Sequence, residues 1–342
     1  MSEIITVGLD LAKNAFQVHG ADASGRAVLR KKLRRDQVLA FFSQLGPCVV
    51  AMEACGGAHF WGREIGKLGH DVRLIPPAYV KPFVKRQKND AVDAEAICEA
   101  AQRPSMRFVP VKSEETQGAA SVFRVRELLI RQRTQAINAL RGHLTEFGQV
   151  VPKGAANVAR LVAIVDDPES GLPAQAVATL RVMIGTLASF DAQIARLDTE
   201  ISHRAKEDVV ARRLMTIPGI GPLIATAIAV LAPPPETFRR GRDFSAWLGL
   251  VPRQHSTGGK QRLGATTKMG ERSLRRLLIL GANSVIIKRH VHQTARPGTW
   301  LAGMLTRKPP MLVRVALANK MARIVWALMV KGEEYRAPAM AA

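Results

Sequence analysis

Cysteine is rare in this chain: Cys48, Cys55 and Cys98 are the only three in 342 residues, and no two of them form a Cys-x-x-Cys pair. An odd, scattered set excludes a disulfide framework and reads as buried thiols in a reducing cytoplasm. Long apolar runs are also missing. Nothing approaches the ~18 to 20 uninterrupted apolar residues that a membrane span needs. The first residues lead directly into a strand with no charged leader and cleavage site, so no secretory signal is expected. Acidic residues are in the minority, 28 against 50 Lys and Arg, for a net charge of +22. That balance favours nucleic acid over a small acidic substrate or a membrane surface.

The chain is long enough for two or three domains, and a hydrophobic fraction of 47% can fill their cores. Against the basic background four carboxylates stand out. Asp10 ends the apolar run Ile4-Ile5-Thr6-Val7-Gly8-Leu9, and Glu53 ends Val49-Val50-Ala51-Met52. Asp90 and Asp93 are three residues apart in Asn89-Asp90-Ala91-Val92-Asp93-Ala94. Carboxylates repel phosphates unless a cation bridges them. Acids so placed in a polyanion-binding protein therefore point to a divalent-metal site and to chemistry on nucleic acid.

The first hundred residues alternate strand and helix. Strands are predicted at 4–10, 16–19 and 27–33, with a turn at Asp22-Ala23-Ser24-Gly25. An amphipathic helix carrying Val38, Leu39, Phe41, Phe42 and Leu45 stops at Gly46-Pro47. A strand (48–52), a helix (58–68) and a strand (72–75) before Pro76-Pro77 follow. Three antiparallel strands and then alternating helix and strand describe a ribonuclease-H-like α/β layout. In it Asp10 lies on the central strand, Glu53 at the end of the fourth, and Asp90 and Asp93 on one face of the next helix. All four can converge.

Beyond this the chain reads as helical. A basic helix is predicted over 113–147, with Arg124, Arg126, Arg131, Arg133 and Arg141 along it and Val122, Leu129 and Leu140 on its apolar side. The Gly- and Pro-containing stretch 148–173 reads as a linker or ordered loop. Leu180, Ile184, Leu187, Phe190, Ile194, Leu197 and Ile201 then alternate by three and four, a coiled-coil-like seam that suits self-association and intramolecular packing equally. Ile217-Pro218-Gly219-Ile220-Gly221-Pro222 has the helix-hairpin-helix pattern, whose Gly219 and Gly221 would expose backbone N–H groups to a phosphate. Its bland alternative is a tight helix–helix turn. The division expected is 1–112, 113–207 and 208–335.

A second polar cluster follows a short apolar helix at 244–250. It runs Arg253-Gln254-His255-Ser256-Thr257-Gly258-Gly259-Lys260-Gln261-Arg262, then Lys268-Met269-Gly270-Glu271-Arg272. Glycines admit close backbone approach, cations hold a phosphate, and two hydroxyls sit between them. Taken alone, such a loop is more often a solvated turn. It is not a Walker A loop, because Lys260 precedes Gln261 rather than Ser or Thr. The remaining helices carry Arg275, Arg276, Lys288 and Arg289 against Leu274, Leu277 and Leu278, a basic face suited to a nucleic-acid backbone. Trp300 is assigned to packing.

Several blocks taken in order resemble a known family. Gly8-Leu9-Asp10-Leu11-Ala12-Lys13, Met52-Glu53-Ala54, Asn89 to Ala94, Ile217 to Gly221, and Gly249-Leu250-Val251-Pro252 with Ser256-Thr257-Gly258 are similar to the DEDD-type insertion-sequence transposases, the "one-ten" family of bridge-RNA-guided recombinases. His255 to Lys260 and Ala295 to Trp300 resemble the subgroup typified by insertion sequence eleven-eleven. The resemblance implies a RuvC-like N-terminal domain, a helical connector and a C-terminal transposase domain. It implies Mg²⁺ (or Mn²⁺) on Asp10, Glu53, Asp90 and Asp93, and a hydroxyl that attacks the scissile phosphate to form a covalent protein–DNA intermediate. The partners implied are donor and target DNA, a noncoding RNA from the element's own ends, and further copies of the chain, from dimer to tetramer, with carboxylates and hydroxyl drawn from different subunits. The setting implied is the bacterial cytoplasm, on the nucleoid when active. The family's serine directly precedes the glycine, where this chain has Thr257. Ser256, a less hindered primary hydroxyl, is favoured, and Thr257 stays open.

Two other classes compete. A metal-dependent nuclease or junction resolvase would use water and leave Ser256 idle. A non-catalytic nucleic-acid-binding protein would keep the basic helices but leave four acids on one edge unexplained. An actin-like sugar kinase also starts with a Gly-x-Asp strand, but it needs Gly, Ser or Thr where this chain has Leu11-Ala12-Lys13-Asn14.

Overall fold

The computed structural model describes residues 3–85, 89–288 and 298–337. Its contacts divide the chain into two compact units, Met1–Gln117 and Gly118–Ala342.

The first unit is built on a five-stranded mixed sheet. Strands β1 (Thr6–Asp10), β2 (Ala15–Ala21) and β3 (Ala27–Arg34) form an antiparallel meander. Helix α1 (Val38–Ser43) leads to β4 (Val49–Glu53), α2 (Ala58–Lys67), β5 (Asp71–Ile75), the short α3 (Pro77–Val80) and α4 (Asp90–Ala101). The strand order is β3-β2-β1-β4-β5, with β4 parallel to β1 and β5 parallel to β4. This is the mixed sheet expected of a ribonuclease-H-like domain. Central strands β1 and β4 are apolar along their length because both sheet faces are covered. One face packs Val7, Leu9, Phe16, Val50 and Met52 against Phe42, Trp61 and Ile65. The other packs Ala51 and Ile75 against Ala96, Ile97 and Ala100 of α4. Small residues on α4 let it lie close to the sheet. At Gly8 an added β-carbon would sit 2.2 Å from the Ala94 carbonyl oxygen and 2.6 Å from the Cys98 nitrogen.

The second unit is helical apart from one hairpin. Helices α5 (Glu114–Glu146), which starts in the first unit, and α7 (Ala174–Glu207) are its longest, with α6 (Val158–Asp166) between them. Arg126 makes a bidentate pair with Asp198 (Nε to Oδ1 2.5 Å, Nη2 to Oδ2 3.1 Å), and Arg133 reaches Asp191 at 2.6 Å. The two pairs are one heptad apart and run in opposite directions along the helices, so α5 and α7 are antiparallel. Leu180, Leu187, Ile194 and Ile201 of the predicted seam are buried inside the chain. Leu180 and Leu187 share a core with Leu140 and Leu144 of α5. At these four positions the seam packs within the chain. The stretch 148–173 is not merely a linker. Leu161 and Val165 of α6 enter the same core; they are four residues apart, one helical repeat that the flanking Gly and Pro obscure.

Helices α8 (Val209–Leu214), α9 (Pro222–Leu231) and α10 (Gly241–Trp247) lead to the hairpin β6 (Pro252–Gln254) and β7 (Leu263–Thr266). Then come α11 (Arg272–Ile287), α12 (Trp300–Arg307) and α13 (Pro310–Lys331). Ile217, Ile220, Ile224, Phe244, Leu274, Leu278, Met321 and Val325 form their common core. Among the described residues no helix is long and apolar enough to cross a membrane.

Candidate active site

The register of the sheet places the first two acids. Leu9 pairs with Met52 across the parallel strands β1 and β4, so Asp10 and Glu53 follow at adjacent strand ends. Helix α4 places the other two. The side chain of Asn89 caps it by accepting from the N–H groups of Ala91 and Val92, both at 3.0 Å, which fixes Asp90 and Asp93 in the first turn. Carboxylate oxygens of Asp10, Asp90 and Asp93 all lie within 4.8 Å of one another. Glu53 stands outside that trio, yet its charge acts on Asp10. Burial, and then the charges of Asp93, Asp90 and Glu53, push the Asp10 carboxyl up from 3.8 to about 6, against a smaller opposing effect of the Leu11 N–H. Burial and the charges of Glu53 and Asp10 likewise raise the Cys55 thiol. A set of hard oxygen donors that repel one another, one half-buried, fits a divalent cation such as Mg²⁺ or Mn²⁺.

The hydroxyl loop is an ordered hairpin tip. Gly258 and Gly259 adopt φ 54° and 74° between Thr257 and Lys260, whose N–H donates to the Thr257 carbonyl at 3.0 Å. Two successive residues at positive φ make a tight turn that glycine adopts without strain. Ser256 Oγ accepts from the N–H of Arg262 and from Gln254 Nε2, each at 3.1 Å. Arg253, Lys260 and Arg262 are exposed on the same hairpin, and Lys268 is exposed at its base, where its N–H donates to the Gly249 carbonyl at 3.2 Å.

The base of the hairpin is clamped. A β-carbon at Gly249 would lie 2.0 Å from the Met269 carbonyl oxygen, and one at Gly270 would lie 1.8 Å from that of Trp247. Arg275 Nη1 closes the clamp by donating to the carbonyls of Leu248 (3.0 Å) and Met269 (3.1 Å).

Several residues predicted to contact phosphate have partners within the chain. Arg126 and Arg133 are engaged by Asp198 and Asp191, whereas Arg124 and Arg131 on the same helix are exposed. Arg275 holds the clamp, and Arg276 pairs with Glu127 at 3.4 Å. Ser273 also donates to Glu127, at 2.8 Å. Gly219 is a packing glycine: its β-carbon would lie 2.6 Å from the Gly281 carbonyl oxygen of α11. Gly221 faces open space at the start of α9. Arg289 and the Ala295-Arg296-Pro297 part of the last block lie outside the described residues. Gln254, the last residue of β6, carries no functional signal in the sequence beyond standing two residues before Ser256, a spacing that an extended limb puts on one face. Nothing in the sequence marked Arg275 as a clamp rather than a surface cation.

Comparison with known proteins gives the same family for both units. A DEDD transposase family of the IS110 type matches residues 7–149, and "Transposase IS116/IS110/IS902 family" matches residues 211–296. A probable family 20 transposase of Pseudomonas aeruginosa is 51% identical over 96% of this chain and 98% of its own length. The transposase for insertion sequence element IS1328 of Yersinia enterocolitica is 42% identical over 97% of this chain and 98% of its own. That for IS1111A of Coxiella burnetii is 38% identical over 98% and 92%. A mixed sheet with an acidic cluster, followed by a helical unit with these relatives, defines a DNA transposase, an enzyme of DNA recombination. The chain belongs to the IS110 family of transposases.

Proposed function

We propose that the protein cuts and rejoins DNA at the ends of its insertion sequence through a covalent serine–DNA intermediate, with Asp10, Glu53, Asp90 and Asp93 as metal ligands. The observation that carries this reading is the convergence of Asp10, Asp90 and Asp93 within 4.8 Å in a chain of net charge +22. A divalent ion held there, Mg²⁺ or Mn²⁺, supplies neutralisation of the scissile phosphate and of the leaving oxygen. The remaining work falls to the chain itself. Ser256 attacks in line, with Thr257 as the alternative hydroxyl, while Lys260 and Arg262 hold the phosphate and Gly258 and Gly259 allow close approach. Covalent retention conserves the phosphodiester energy, so strand exchange needs no ATP. The segments 1–112, 113–207 and 208–335 serve as nuclease-like, connecting and transposase parts. A noncoding RNA from the element's ends selects donor and target, and carboxylates and hydroxyl come from different subunits of a dimer or tetramer. Cytoplasmic residence follows from these partners.

Incubating the protein with its element-end DNA, the RNA transcribed from those ends and Mg²⁺ should give a protein–DNA adduct that survives denaturation. Ser256→Ala should remove the adduct and spare complex assembly. Loss of the adduct in Thr257→Ala alone would move the nucleophile by one residue. Cleavage with free DNA ends and no adduct would replace this mechanism by water-using hydrolysis.

A further inference from the structure

In strand β6 and its extension toward the tip, side chains alternate between faces. Gln254 and Ser256 therefore share one face, and His255 takes the other, its ring set against Gly264. The backbone N–H of His255 donates to the Arg262 carbonyl at 2.8 Å, which fixes the two limbs of the hairpin at this level. On the Gln254 face, Ser256 Oγ receives two N–H donors at 3.1 Å: Nε2 of Gln254 and the backbone nitrogen of Arg262. Thr257 has a different role, entering the turn through its carbonyl.

A serine hydroxyl has one proton and two lone pairs. With both lone pairs accepting, the O–H bond can only point away from Gln254 and the Arg262 backbone. When the proton leaves, the pair it frees is the one facing outward, and the two N–H groups remain to stabilise the negative charge on Oγ. We infer that Gln254 is a positioning residue which, together with the Arg262 N–H, aims Ser256 Oγ and stabilises its oxyanion. This rests on the reading of Ser256 as the nucleophile.

The step balances without a further reactant. The Oγ–P bond forms as the bond from phosphorus to the departing DNA oxygen breaks. The serine proton passes to solvent, and the departing oxygen takes up a proton to become a free hydroxyl. Rejoining is the same path reversed, in which a DNA hydroxyl attacks and Ser256 Oγ leaves as the oxyanion. Donors that hold the hydroxyl and the ester oxygen alike, and the oxyanion more strongly, lower the barrier in both directions and leave the equilibrium between free and covalent DNA unchanged.

The test uses the full-length protein with element-end duplex, RNA transcribed from the element's ends, and Mg²⁺. Adduct formation is followed over time, and release is followed after adding DNA ends that carry a free hydroxyl. In Gln254→Ala and the near-isosteric Gln254→Met, both rates should fall by the same factor, on the order of ten- to a hundredfold. The adduct plateau and DNA affinity should hold, and the rate–pH profile should move to higher pH. Gln254→Glu, which cannot donate, should be at least as slow. Native rates in both Gln254→Ala and Gln254→Met would overturn the inference, as would a rate loss that tracks lost DNA binding, or a plateau that falls with the forward rate alone. Ser256→Ala separates the two levels. If it abolishes the adduct while Gln254 variants run at native rates, only the positioning role fails; if the adduct persists, the nucleophile reading fails and this inference with it.

Discussion

Gly8 of β1 lies so close to Ala94 of α4 that a β-carbon on Gly8 would come within 2.2 Å of the Ala94 carbonyl oxygen. Asp10 is two residues beyond Gly8 and Asp93 immediately precedes Ala94, so this contact sets the separation of the two carboxylates. Gly8→Ala must push the helix from the strand, because backbone atoms cannot swing aside as a side-chain tip can. The expected cost is about 1–3 kcal/mol of stability by chemical denaturation. Titration with Mn²⁺ should show at least tenfold weaker binding in protein that remains folded. Unchanged Mn²⁺ affinity would detach the metal site from this contact.

Asp10 gives a pH dependence with a definite sign. Its folded value, about 6, is above the ordinary 3.8, so the folded state holds the proton more tightly than the unfolded state. The group therefore adds stability at low pH that is lost as pH rises from about 4 to about 6. In chelator-treated protein, Asp10→Asn should flatten this part of the Tm–pH curve and raise Tm at pH 7. The same variant should lose DNA cleavage and the Tm gain on adding Mg²⁺. A wild-type curve parallel to that of Asp10→Asn between pH 4 and 6 would contradict the raised value.

The arginines of α5 should separate into two groups. Arg126→Ala removes a bidentate pair and should cost on the order of 1 kcal/mol. A charge swap, Arg126→Asp with Asp198→Arg, should recover part of that. Arg124→Ala and Arg131→Ala should leave Tm nearly unchanged and weaken duplex binding. Each should reduce the slope of log affinity against log salt by about 0.9. Equal effects of Arg124→Ala, Arg126→Ala and Arg131→Ala on binding would show that the Arg126–Asp198 ion pair opens on nucleic acid.

Leu187→Asp combined with Ile194→Asp places two carboxylates in positions buried within the chain. The expected result is loss of helicity and a large fall in Tm, since each uncompensated charge costs several kcal/mol. Light scattering on any folded fraction should show no smaller species. A folded double variant of reduced mass would restore the seam as a subunit interface.

How much of this was legible in the sequence depends on where each partner lies. Apolar runs ending in Asp10 and Glu53 gave the sheet and its carboxylate edge, since a strand buried on both faces has little freedom to vary. The i, i+3 spacing of Asp90 and Asp93 put them on one helix face from local information alone. The heptad seam was visible, but spacing carries no address for what it packs against. The same limit hid the engagement of Arg126 and Arg133, whose carboxylates lie in a helix separated by α6. Gly219 shows it differently: a glycine suited to a phosphate and a glycine suited to a neighbouring helix look the same until Gly281 is beside it.

The clamp formed by Gly249, Gly270 and Arg275 makes the hydroxyl hairpin a replaceable cassette. Its attachment is settled outside the tip, by backbone contacts too close for any β-carbon and by one guanidinium that ties two carbonyls. Changes within the tip therefore leave the seating of the hairpin on the helices beneath untouched, whereas a side chain at Gly249 or Gly270 would unseat it. A transposase so built can retune what its tip presents to DNA while inheriting the orientation of the tip intact.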